Sequence, residues 1–346
     1  MSPQRQWLLR ILGVLVVLIV GDFAAERLRV SYWSPIDENQ MLRVFTYLHD
    51  GPAADVVILG SSRVRAALIP AEIEDTLAPT LDRHLTAYSL AQNGADAYTC
   101  WRILDDAVSV HGVPDAVILE LSPAALNAHN TNVARDFEHY SSFFDLLGSI
   151  RWITTADRLT GAAAGCFRGV SSLALYGLRF VYEDSVASSL ATYRRLKGGE
   201  FPQQLVNEYR PPPAPNAVRR LAQLDTAVRL TRRLYMIDYT IGGAPAAGFT
   251  AMVDLAAEHD IPLILVDPPV TPEYGESIVT PDELADYRRV VERAVSRPGS
   301  TVVEADLSGL DIADEDFQDL THLNPIGARK LSHFLAETVL VPVLAD

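Results

Sequence analysis

Short apolar runs bounded by turn residues alternate along this chain with longer stretches of helical spacing. Five runs are β-branched enough to predict buried strands: DVVILG (55–60), HLTAYSLA (84–91), DAVILELS (115–122), PLILVDPPV (262–270) and STVVEADL (300–307). Helical spacing is predicted over 71–78, 98–112, 249–260, 280–297 and 324–340. A run that is apolar at every position suits a strand covered on both faces, which is the habit of parallel sheets. Strands alternating with helices therefore predict an α/β fold with about five parallel strands.

Two regions break the rhythm. Residues 123–247 form a large, mainly helical insertion between the third and fourth strands. It contains the stiff RPPPAPN segment (210–216) and arginines at 194, 195, 219, 220, 229, 232 and 233, which suit solvated helix faces or, as the alternative, an anion- or membrane-facing patch. Its aromatics, among them Tyr140, Phe143, Phe144 and Trp152, suit either a small core of its own or stacking on sugar rings. At the amino end, Arg5 and Arg10 precede ILGVLVVLIV (11–20), which carries no charge. Residues 1–25 are expected to be a transmembrane signal anchor and 26–50 a helical stalk, followed by the main domain at 51–346. A spanning helix needs roughly 20 apolar residues, and the basic flank stays cytoplasmic. The chain is then a single-pass cell-membrane protein with its amino end cytoplasmic and its domain outside. A cleaved signal peptide is the competing reading of the same segment.

Composition narrows the chemistry. The 346 residues carry a formal net charge of −15, which argues against a nucleic-acid partner. Two cysteines, Cys100 and Cys166, form neither a disulfide framework nor a zinc pattern. His129 and His139 lack metal-ligand spacing, the acidic turn at Asp311, Asp314, Glu315 and Asp316 is not an EF-hand loop, and no glycine-rich phosphate loop is present. No metal or cofactor is expected.

The polar positions that remain point to acyl transfer. Gly60-Ser61-Ser62-Arg63 follows the first strand directly, where a serine would sit at the carboxyl edge of the sheet. Near the other end, Asp319 and His322 stand three residues apart just before the last helix, which Asn324 and Pro325 open. A serine nucleophile needs an imidazole base, and the base needs a carboxylate to fix its tautomer.

The order strand, G-x-S, a glycine turn after the second strand, then D-x-x-H before the last helix resembles the SGNH (GDSL-type) hydrolase superfamily. The nearer resemblance is to its membrane-anchored envelope branch, the DltD-like and alginate-O-acetylation-type proteins. It covers about 52–122 and 249–340 and leaves out the stalk and the insertion. The resemblance implies a flavodoxin-like three-layer α/β/α fold. It also implies Ser62 as nucleophile, His322 as base and Asp319 as its orienting acid. Ser62 and Gly94 would form the oxyanion hole, with Asn93 beside it. The family's G-x-N-D motif after the third strand is replaced by LELSPAALN: Ser122 or Pro123 stands near the asparagine position, and Asn127 comes a few residues late. The function implied is an extracytoplasmic esterase or O-acyltransferase working on acyl, chiefly acetyl, esters of a cell-envelope polysaccharide. Its partners would be that polysaccharide or an acyl donor, a membrane-bound O-acyltransferase, and the bilayer through the amino-terminal helix. The alternative is a non-catalytic accessory or glycan-binding protein of such a system.

Overall fold

The computed structural model describes residues 51–130 and 222–345, with scattered positions before residue 49. The sheet belongs to a compact unit made of Thr46–Val133 and Gln203–Asp346. Its five strands are β1 (Val56–Leu59), β2 (Ala87–Ser89), β3 (Ala116–Glu120), β4 (Leu263–Val266) and β5 (Val302–Glu304), all parallel, in the order β2-β1-β3-β4-β5. That order reverses direction at β1 and β3, and the crevice outside the carboxyl ends of these two strands is where open α/β sheets place ligands.

Both faces are covered, as the uninterrupted apolar runs require. Val56, Ile58, Ala116, Ile118, Ile264 and Val266 belong to one core cluster. The alternate residues Val57, Leu59, Val117, Leu119, Leu263 and Leu265 are equally buried but lie outside that cluster, because successive side chains point to opposite faces. On the first face lie α1 (Ser62–Ala67), α2 (Pro70–Leu81) and α9 (Pro325–Leu335), which supply Val64, Ile73, Leu77, Leu331 and Leu335. The chain also forms α3 (Ala97–His111), α4 (Pro123–Leu126), α5 (Leu224–Leu234), α6 (Gly243–Glu258), α7 (Pro272–Ile278) and α8 (Pro281–Val295). After α9 the helix widens into a π turn over Ala336–Leu340 and ends at α10 (Val341–Ala345).

The close packing of α3 on α6 turns on one glycine. A Cβ on Gly248 would fall 2.4 Å from Cα of Tyr98 and 3.0 Å from the carbonyl oxygen of Ala97. Backbone cannot retreat from such a contact as a side chain can. Gly248→Ala is expected to destabilise the protein by at least the ~1–3 kcal/mol typical of overpacking. A thermal melt checks this, and an unchanged midpoint would show that the two helices are not in such close contact.

The strands are shorter than the runs that predict them. The final residues of the runs at 115–122 and 262–270 form the turns beyond β3 and β4. Two helices add to the sequence reading: α1, too short for periodicity to reveal, and α7, which begins two residues after Pro268-Pro269-Val270. Of the insertion, only 123–130 and 222–247 are described. Its aromatics at 140–152, most of its arginines, Cys166, His139 and most of the stalk lie outside the described residues. Among the described residues no helix is long and apolar enough to cross a membrane, and part of the expected anchor lies outside them.

Candidate active site

The turn after β1 begins at Gly60, whose φ of 144° lies in a region other residues rarely adopt. Ser61 is the N-cap of α1: its backbone is extended and its side-chain oxygen accepts the N–H of Arg63 at 3.1 Å. Ser62 is therefore the first helical residue, and its N–H has no acceptor within the helix.

His322 reaches Ser62 from a tight hairpin. Phe317 pairs with Leu323, the N–H of Gln318 donates to the carbonyl of His322 at 3.0 Å, and the N–H of Asn324 donates to that of Asp316 at 2.8 Å. Asn324 then caps α9, accepting from Ile326 and Gly327 N–H at 2.9 and 3.2 Å. Asp316 is buried and consumed locally, accepting from the N–H of Ala313 at 2.8 Å and from Nζ of Lys330 at 2.6 Å. It is thus a structural anchor of the hairpin rather than part of an open acidic turn. The hairpin is also tied to the start of α7, whose N-cap Thr271 donates its N–H to the Leu320 carbonyl at 3.0 Å.

This framework sets three side chains in line. Ser62 Oγ lies 2.9 Å from Nε2 of His322. Nδ1 of His322 lies 3.0 and 2.9 Å from the two carboxylate oxygens of Asp319. Asp319 also accepts from the backbone N–H of Thr321 and of His322, each at 2.8 Å. Burial alone would raise the Asp319 pKa. The His322 hydrogen bond and charge, with the two N–H donors, outweigh it and bring the pKa down to about 2. An ionised carboxylate only accepts, so Nδ1 carries the proton and Nε2 is left to accept from the Ser62 hydroxyl.

The two serines are held quite differently. Ser61 Oγ donates to Glu120, whose carboxylate oxygens both lie at 2.8 Å. Ser62 Oγ alone faces the imidazole. Arg63 spans the mouth of the crevice. It lies 2.9 Å from Asp267, which follows β4, and 3.8 Å from Glu120, and it donates to the carbonyl of Pro268. Asp267 is thus the ion-pair partner of the residue next to Ser62.

The turn after β2 stands at the same sheet edge. Gln92 N–H donates to the Gly60 carbonyl at 2.8 Å, and Ala95 N–H closes a turn onto the Gln92 carbonyl at 3.2 Å. Gly94 sits in that turn with a φ of 71°, a conformation suited to glycine, and Asn93 beside it is exposed. Asn127, the nearest asparagine after β3, does not turn toward the serine. Its amide donates to the carbonyls of Tyr235 and Ile237 at 2.9 and 3.1 Å, and its oxygen accepts from Thr240 and His129 N–H. It staples α4 to the chain after α5 and is unavailable as an oxyanion donor. His129 is held on a loop carbonyl, that of Asp238, at 2.8 Å.

The part played by Glu120, which joins Ser61, Val64 and Arg63 across the turn, is not visible in local sequence pattern. The available signal was a single carboxylate closing an otherwise apolar strand, since an unpaired charge there would be costly to bury. Comparison with protein-family models finds no match to this chain, and comparison with curated proteins finds no significant relative.

Proposed function

We propose that the protein is a serine esterase or O-acyltransferase that works through an acyl-Ser62 intermediate. The observation that carries this reading is the unbroken Ser62–His322–Asp319 chain at the carboxyl edge of β1. His322 takes the hydroxyl proton as Ser62 Oγ attacks an ester carbonyl, and Asp319 holds the resulting imidazolium. The Ser62 N–H, with that of Gly94, receives the oxyanion. The alcohol leaves with the proton from His322, and water or a second hydroxyl then takes the acyl group by the reverse path. Turnover of an activated acetyl ester by the full chain, set against Ser62→Ala, tests the reading. Equal rates would sink it.

The substrate class follows from the resemblance to envelope proteins: acyl, chiefly acetyl, esters on a cell-envelope polysaccharide, with a membrane-bound O-acyltransferase as a partner. The amino-terminal segment fits a membrane anchor, because Trp7, Leu12, Val14, Val17 and Val20 are all exposed, and the basic flank at Arg5 and Arg10 points the domain outward. The full chain is expected to stay with membranes through an alkaline carbonate wash, and recovery in the soluble fraction would refute the anchor. A non-catalytic accessory role is the second reading. The engagement of Asn127 favours it, since the asparagine donor expected after β3 is not replaced by that residue.

A further inference from the structure

We infer that Glu120 is a positioning residue: it consumes the N–H groups of Ser61 and Val64, so that among the donors at the start of α1 only the Ser62 N–H is left to meet the oxyanion. The inference rests on the esterase reading above. It comes from a complete account of the donors at the start of α1. Ser61 N–H donates to Oε2 of Glu120 at 2.7 Å, and Val64 N–H donates to the same oxygen at 3.1 Å. Arg63 N–H goes to Ser61 Oγ at 3.1 Å and Arg65 N–H to the Ser61 carbonyl at 3.2 Å. The donor left over belongs to Ser62, whose hydroxyl already faces His322.

Glu120 is well placed for this task. It closes β3, pairs in register with Val266 on one side, and is 5 % exposed. Its approach to the turn needs glycine at 60. A Cβ there would lie 2.4 Å from Cβ and 2.8 Å from Oε2 of Glu120, and 2.7 Å from Cγ1 of Val64. A buried anion beside an oxyanion site is in itself unfavourable, and the Arg63 guanidinium 3.8 Å away, which Glu120 shares with Asp267, offsets part of that charge. What the turn uses is therefore the acceptor oxygens of Glu120, with the negative charge partly screened by Arg63.

Two substitutions separate acceptor from charge. Glu120→Gln keeps a carbonyl oxygen for the Ser61 and Val64 N–H groups, whereas Glu120→Ala releases them and frees Ser61. With an activated acetyl ester, Glu120→Ala is expected to lower kcat by about 10²–10³-fold, because the turn that aims the Ser62 N–H loses its anchor and a misaimed donor costs as much as an absent one, with KM little changed. Glu120→Gln should recover most of that loss, to within about tenfold of the parent, with an unaltered pH profile. Gly60→Ala, which displaces Glu120 without removing it, should reproduce the kcat defect. A folded Glu120→Ala with the parent's kcat, or a Glu120→Gln as impaired as the alanine variant, would overturn the inference. If the alanine variant does not fold, the glutamine variant decides by the same tenfold limit. A parent no more reactive than Ser62→Ala overturns the esterase reading and the inference with it. A reactive parent with an unimpaired Glu120→Ala overturns the inference alone.

Discussion

Ser62→Ala is expected to lower ester turnover on the order of 10⁴- to 10⁶-fold, while Ser61→Ala leaves the chemistry largely in place. The two hydroxyls are adjacent in sequence, yet their surroundings assign them opposite tasks. Ser61 Oγ is committed twice, as donor to Glu120 and as acceptor of the Arg63 N–H. A hydroxyl that donates to a carboxylate is not poised to attack a carbonyl, because no neutral base stands ready to take its proton. Ser62 Oγ has that base at 2.9 Å. Ser61→Ala should instead cost stability, through loss of the α1 cap, by about 0.5–2 kcal/mol. Initial rates with an activated acetyl ester and a thermal melt on the same preparations check both halves. An inactive Ser61→Ala beside an active Ser62→Ala would reverse the assignment.

The second large effect concerns Asp319 and His322, the pair proposed to activate Ser62. Asp319→Asn is expected to reduce turnover on the order of 10⁴-fold, because the amide can donate to Nδ1 and so favours the wrong tautomer. His322→Ala should be at least as damaging, and combining either change with Ser62→Ala should add little, since the members of such a group fail together. Independent, multiplicative losses would argue against a triad. The same carboxylate leaves a mark on stability. Its folded pKa of about 2 lies below its ordinary value, so the ionised form favours the folded state. That contribution is complete above the unfolded pKa and disappears as the pH falls from about 4 toward 2. Denaturation of the parent and of Asp319→Asn should therefore differ at pH 5 and converge in strong acid. A difference that persists at pH 2 would mean that Asp319 stabilises the fold by some route other than its charge.

The parallel sheet was legible because each strand is buried on both faces and so has a nearly unbroken apolar run. Its order was less so, since crossover helices connect strands without recording which neighbour they return to. Ser62, Asp319 and His322 could be singled out because turn chemistry marks both loops: glycine after β1, and Asn324-Pro325 opening α9. What local pattern could not reveal is the traffic between distant segments. Glu120 reads as an anomaly in a strand until the turn 56 to 59 residues earlier is placed against it. Asn127 reads as a displaced catalytic asparagine until the carbonyls of Tyr235 and Ile237, more than 100 residues later, are seen to hold its amide. Strand ends were overestimated for a related reason: the last apolar residues of a run pack just as well in a turn.

The central claim is that Ser62 becomes acylated. Intact-mass measurement of the full chain, quenched in acid after brief incubation with an activated acetyl ester, tests it most directly. The account predicts a single added acetyl group, mapped by fragmentation to Ser62, absent from Ser62→Ala and retained in Ser61→Ala. An acetyl group equally abundant in Ser62→Ala, or no acetylation while the ester is consumed at the same rate by both proteins, would contradict it.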